Sequence, residues 1–211
     1  MVKITKYVHS CLVVETDDRV AVFDPGSMSE SALNVEGLAQ VDDIFITHEH
    51  RDHFSPDLIK KLHAKFPKAT IVTTAAVVAK LKELGIDAVN QPLEGVMFFK
   101  SPHEETAPLL SPTPEEVGIH YLDILSHPGD SHSFTETKEI LALPVQAPWG
   151  SSVNALKLGL KLKPRYILPI HDWHWRDEAR LTMYNGFEQI FGNAGITFLK
   201  LETGKPVNID L

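Results

Sequence analysis

The segment Thr47-His48-Glu49-His50-Arg51-Asp52-His53 follows directly on the apolar run Ile44-Phe45-Ile46, and it constrains this chain more than any other stretch. Seven residues hold three imidazoles and two carboxylates. His48 and His50 are two apart, so at a strand end they point the same way and can hold one ion. On a helix that spacing would send them to different faces, which excludes a helical H-E-x-x-H zinc site. Asp52 and His53 fall where the backbone must leave the strand, placed to turn toward a second ion. Two divalent ions roughly 3.5–4 Å apart can share one hydroxide, a nucleophile available at neutral pH.

At 211 residues the chain suits one domain, 1–211, with a well-buried core. The formal charge of −8 opposes a nucleic-acid partner, which would need a basic stripe. It leaves anionic substrates open, because two bound cations would reverse the local field. The single cysteine, Cys11, rules out a disulfide within the chain. Met1-Val2-Lys3-Ile4-Thr5 begins without a long apolar segment, and no run approaches the roughly 18 apolar residues of a membrane span. A cytoplasmic protein with a small-molecule substrate and no membrane partner is therefore expected, and a homo-oligomer is compatible with it.

Residues 2–8, 11–16 and 20–23 read as short strands rich in β-branched side chains, with Asp24-Pro25-Gly26 as a tight stop. The strand 41–47 delivers the histidine motif. Ser55-Pro56-Asp57 starts a helix with Leu58, Ile59, Leu62 and Phe66 on its apolar face. A strand at 71–73, a helix at 75–84 and a strand at 86–89 follow, then strands at 95–101 and 117–126. Pro108, Pro112 and Pro114 keep the loop between the last two out of regular structure. The remainder alternates strand 140–145, helix 151–162, strand 166–170, helix 177–191 and strand 196–201. The pattern predicts an α/β fold of two mixed β-sheets with helices on the outer faces, a four-layer αββα sandwich.

A two-ion centre needs further donors, and three strand ends offer them, where α/β sheets place their sites. His103 follows Phe98-Phe99-Lys100-Ser101-Pro102. Asp130 sits in Ser126-His127-Pro128-Gly129-Asp130-Ser131. His171 closes the apolar run Tyr166-Ile167-Leu168-Pro169-Ile170. His120 competes with His103 but begins a strand that leads toward Asp130.

The order His-x-His-x-Asp-His, a lone histidine, His-Pro-Gly-Asp-Ser and a strand-terminal Pro-Ile-His resembles the metallo-β-lactamase superfamily of binuclear hydrolases. Tyr7-Val8-His9-Ser10-Cys11, Phe23-Asp24-Pro25-Gly26 and Leu143-Pro144-Val145 resemble its small single-domain branch, which includes ascorbate-6-phosphate lactonase-like proteins. The resemblance spans roughly residues 2–171. It implies His48, His50 and His103 on one ion, Asp52, His53 and His171 on the other, and Asp130 bridging. It also implies that Asp52 orients the attacking hydroxide as the catalytic carboxylate. The donor set suits zinc best, with manganese or iron compatible. The implied activity is hydrolysis of a small ester, lactone or phosphorylated metabolite. The alternative is a non-hydrolytic iron protein for redox or sensing on the same fold.

Four other residues are candidates for supporting the ligands or touching substrate. His9 lies in a turn between strands, and Asp24 can fix the tautomer of a ligand imidazole. Trp149 stands where this branch has a glycine-rich turn, and Trp173 follows His171 closely. His127 reads as structural, and His63 and His132 as solvent-facing. Leu109 and Leu110, between prolines, suggest a lid or a docking segment.

Overall fold

The computed structural model describes residues 1–106 and 113–211; Leu109 and Leu110 lie outside them. Among the described residues the strands are β1 (Val2–Lys6), β2 (Leu12–Glu15), β3 (Val20–Phe23), β4 (Asp43–Phe45), β5 (Thr70–Val72), β6 (Val96–Phe99), β7 (Gly118–Tyr121), β8 (Leu125–His127), β9 (Ile140–Pro144), β10 (Tyr166–Ile170), β11 (Thr197–Phe198) and β12 (Pro206–Ile209). The α-helices are α1 (Pro56–Lys65), α2 (Ala75–Glu83), α3 (Ser152–Leu162) and α4 (Asp177–Asn193). They form two compact units, the first from Met1–Glu94, Pro114–Val117 and Leu201–Leu211, the second from Gly95–Thr113 and Gly118–Lys200. Each unit is one mixed six-stranded sheet with two helices, so the fold class is α/β. No helix of the described residues is long and apolar enough to cross a membrane.

In the first unit the strand order is β12-β1-β2-β3-β4-β5. β1 to β3 form an antiparallel meander, while β3, β4 and β5 run parallel. Alternation along the strands sends Val13, Val22, Ile44 and Ile71 into one cluster with Leu58, Ile59 and Leu62 of α1 and Val77 and Leu81 of α2. The opposite parity places Leu12, Phe23 and Phe45 side by side across the ladder, with the two phenyl rings stacked at 4.9 Å. Helix α1 begins as its sequence predicts: Ser55 Oγ accepts from Leu58 N at 3.2 Å and Pro56 occupies the first turn.

In the second unit the order is β11-β10-β9-β8-β7-β6. β8 to β11 are parallel, while β7 pairs antiparallel with both β8 and the edge strand β6. Leu141, Leu143, Val145 and Ile167 pack against Ala155 and Leu158 of α3 and Tyr184, Phe187 and Phe191 of α4. A Cβ on Gly159 would stand 2.7 Å from the Phe191 ring and 2.8 Å from Ile167 Cδ1, so only glycine lets α3 approach this closely.

Three segments depart from the sequence expectation. The strand expected at 117–126 is two strands, because Leu122 (φ 49°) and Asp123 (φ 53°) turn the chain between β7 and β8. Residues 86–89 make only the isolated bridge Val72↔Val89 rather than a strand. The C-terminal residues add β12 to the first sheet by pairing antiparallel with β1, a strand the sequence reading did not include.

Candidate metal centre

In the first unit the histidine motif sits at the carboxyl end of β4, beside the carboxyl end of β3. After Phe45 the chain stays pinned: Ile46 N donates to Val72 O at 3.1 Å, and Thr47 N donates to Asp24 Oδ1 at 2.8 Å. The loop then folds back, with Phe54 N on His50 O, Ser27 N on Arg51 O and Ser55 N on Pro25 O. The Asp24-Pro25-Gly26 strap is thus bonded along the ligand loop. Gly26 is required there, since a Cβ would lie 1.8 Å from Asp52 O and 2.7 Å from His53 N.

Asp24 does what the sequence reading allowed for it. Its Oδ2 lies 2.6 Å from His53 Nδ1 and accepts from Thr47 Oγ1 at 2.9 Å. The carboxylate holds the proton on Nδ1 and leaves Nε2 as the atom that carries the lone pair. Glu116 does the same for His48, with Oε2 at 3.0 Å from Nδ1 and both side chains fully buried. Sequence reasoning missed Glu116. It lies in the proline-rich loop, where no periodicity marks it.

His48 and His50 stack edge-on with centroids 4.8 Å apart. His9, Asp52 and His53 each offer a ligand atom, all within 4.8 Å of one another, and His9 Nε2 is 3.2 Å from Asp52 Oδ2. His9 therefore stands among the donors rather than merely near them. His9 (φ 67°), Asp24 (φ 41°) and, in the second unit, His171 (φ 62°) are non-glycine residues with left-handed backbone, a strain that a fold retains where side-chain placement matters.

In the second unit the carboxyl ends of β8, β9 and β10 supply Asp130, Trp149 and His171. Gly129 (φ 69°) turns the chain so that Asp130 faces back over the sheet. Glu104 N donates to Asp130 O at 2.9 Å, fixing His103 beside it. His103 Nδ1 is 2.6 Å from Glu104 O, and His171 Nδ1 is 3.0 Å from Gln146 O. Both imidazoles therefore carry their proton on Nδ1. Their Nε2 atoms face Asp130, His171 at 2.9 Å from Oδ1 and His103 at 3.5 Å from Oδ2. A lone pair on nitrogen opposite a carboxylate lone pair is repulsive unless a cation lies between them. That arrangement fits a divalent ion.

Trp149 has a definite role: its Nε1 donates to Asp130 Oδ2 at 3.1 Å. Tyr184 Oη donates to Asp172 Oδ2 at 2.5 Å, tying the turn after His171 to α4, and burial beside Asp172 raises its phenol pKa. Trp173 is 51% exposed and meets His174 edge-on at 5.3 Å, outside these contacts. His120 is not with the donors; it is buried on β7, with Nδ1 2.8 Å from Ser126 Oγ and its ring stacked on Phe99. His132 is half-buried rather than solvent-facing, since its Nε2 meets Pro144 O at 2.8 Å and its ring packs edge-on against Trp149. Burial lowers its pKa. His127 is buried, and its Nδ1 accepts from Gly129 N at 3.4 Å.

Residues 3–171 match the family described as the β-lactamase superfamily domain. A protein of Mycobacterium tuberculosis is 27% identical over 192 residues, covering 86% of this chain and 89% of that protein. Among solved structures, a metallo hydrolase from the archaeon Ignicoccus hospitalis superposes with a TM-score of 0.74 at 18% identity, covering 100% of this chain and 99% of that one. The diiron β-hydroxylase CmlA of Streptomyces venezuelae superposes with a TM-score of 0.70 at 11% identity. It covers 99% of this chain, which spans 54% of the hydroxylase. These likenesses show a fold shared by a metallo hydrolase and a diiron hydroxylase.

Proposed function

Because the chain belongs to the β-lactamase superfamily domain family, we propose that it is a metal-dependent hydrolase acting on a small ester, lactone or phosphorylated metabolite. Its ligands are those the family resemblance assigns: His48, His50 and His103 for one ion, Asp52, His53 and His171 for the other, and Asp130 for both. Within the first unit, His9 is a further donor toward the ion of Asp52 and His53. The observation that carries the reading is the common state of the imidazoles. His48, His53, His103 and His171 each have Nδ1 against an oxygen acceptor, Glu116, Asp24, Glu104 O and Gln146 O. Four imidazoles fixed as Nε2 donors suit zinc, with manganese or iron also accommodated.

When bound, the two ions supply a Lewis acid for the scissile carbonyl or phosphoryl oxygen and a water acidified toward neutral pH. The chain's own groups do the rest. Asp52, which when ionised only accepts hydrogen bonds, orients the attacking water and takes part in its deprotonation. Asp24 and Glu116 keep the ligand rings from rotating. Trp149 sets the plane of the Asp130 carboxylate.

A panel of lactone, phosphodiester and thioester substrates, run on zinc- and manganese-loaded protein, tests the proposal. Asp52→Ala should lower turnover by about 10²–10⁴-fold while the circular dichroism spectrum is unchanged; wild-type turnover in that variant sinks the mechanism. Iron in the purified protein, with no hydrolysis across the panel, would select the redox alternative.

A further inference from the structure

Within the second unit a cavity of about 370 Å³ is lined by Glu104, His132, Ser133, Trp149 and one face of α3. That face is Asn154, Lys157, Leu158 and Lys161, the i, i+3, i+4, i+7 positions of a single helical stripe. The size suits a small metabolite. Its lining charges are two lysines against one carboxylate, Glu104. Among the described residues neither Lys157 nor Lys161 has a carboxylate within 4.0 Å. Two like charges at i, i+4 without a counter-ion work against the helix. The cavity's own acid, Glu104, is committed elsewhere: its Oε1 accepts from His132 N at 2.9 Å and Ser133 Oγ at 2.7 Å.

Trp149 joins this cavity to the proposed metal ligands. The indole lies 5.3 Å from His132, 5.4 Å from His171 and 6.3 Å from His103 between ring centroids. Its Nε1 is bonded to Asp130. A substrate whose reactive group faces Asp130 and that extends past Trp149 therefore brings its far end to the α3 stripe that carries Lys157 and Lys161.

We propose that Lys157 and Lys161, with Asn154, form the specificity subsite for an anionic substituent of the substrate, a phosphate or carboxylate set apart from the scissile bond. This rests on the hydrolase reading for its position along the substrate, but the anion binding itself is testable without turnover. The chemistry is charge-assisted hydrogen bonding from two ammonium groups with an amide beside them, against an indole wall.

Calorimetric titration of inorganic phosphate into the full chain and into the Lys157→Met/Lys161→Met variant provides the test, with the indole N–H resonance of Trp149 followed in parallel. The variant should bind phosphate at least about tenfold more weakly, and the Trp149 resonance should move on titration only in the wild-type protein. Equal phosphate affinity in the two proteins overturns the subsite. For any ester pair that the enzyme hydrolyses and that differs only by an anionic substituent, the variant should lower the anionic-to-neutral ratio of kcat/KM by about tenfold. An unchanged ratio also overturns it. Absence of turnover by wild-type protein on the whole panel would count against the hydrolase reading alone, since the phosphate titration judges the subsite separately.

Discussion

Gly26→Ala is the substitution for which the structure gives the sharpest expectation. The new methyl carbon would lie 1.8 Å from Asp52 O, 2.1 Å from Asp52 C and 2.7 Å from His53 N, whereas Cβ contacts essentially never fall below 3.0 Å. The Asp52-His53 peptide must therefore retreat by at least about 1.2 Å, the difference between 3.0 and 1.8. The strap cannot absorb this by itself, because Ser27 N and Ser55 N tie its two sides to Arg51 O and Pro25 O. Metal–ligand distances tolerate only about 0.2 Å, so a shift of this size displaces the proposed ligands Asp52 and His53. Metal affinity should fall by more than about 100-fold, and unfolding stability by roughly 1–3 kcal/mol for overpacking. Competition titration against a chromophoric chelator reads the first quantity, and urea denaturation reads the second. Gly186→Ala is the control: nothing lies within 4 Å of its Cβ in the middle of α4, so it should leave metal binding intact and raise stability by about 0.5–1 kcal/mol. Wild-type metal affinity in Gly26→Ala would refute the claim that the strap sets the ligand loop.

Two further expectations follow from individual contacts. Asp24→Asn keeps the shape but can present an N–H to His53 Nδ1, which frees the imidazole to take the wrong tautomer; affinity for the ion of Asp52 and His53 should drop about 10–100-fold in the same chelator assay, with the fold retained. On β7, burial pushes the His120 pKa down to about 4, below the ordinary value of 6.5. The unfolded chain then binds the proton more readily, so this residue's share of stability is complete above pH 6.5 and is lost as pH falls toward 4. The loss is at most about 3 kcal/mol. His120→Phe, stacked on Phe99 without a titrating group, should flatten the stability profile between those pH values; an unaltered slope would mean the native ring is readily protonated.

Much of the candidate site is legible in the sequence because its potential donors obey a local rule. His48, His50, Asp52 and His53 crowd the end of one apolar strand, and Asp130 and His171 each end another, so periodicity and chain breaks found them. What escaped was set by tertiary contact. Glu116 has no pattern around it, and its meaning comes only from His48 Nδ1 at 3.0 Å. The bulk of Trp149 marks it as a candidate in the sequence, but its hydrogen bond to Asp130 comes only from the fold. The hairpin at Leu122 and Asp123 uses positive φ without glycine or asparagine, so the apolar residues around it read as one strand. β12 was missed for another reason: Pro206–Ile209 is short and half exposed, and only its pairing with β1 makes it a strand. The fold class rested on alternation that many residues share, whereas these details rest on single contacts.

The central claim, that this chain holds two catalytic ions, is tested most directly by metal analysis of freshly purified protein, before and after chelation, with hydrolysis followed on the same samples. Two divalent ions per chain, activity lost on chelation and recovered on readdition of zinc or manganese, is the predicted result. Hydrolysis that persists with no bound metal would contradict it, as would a chain that binds no divalent ion at all.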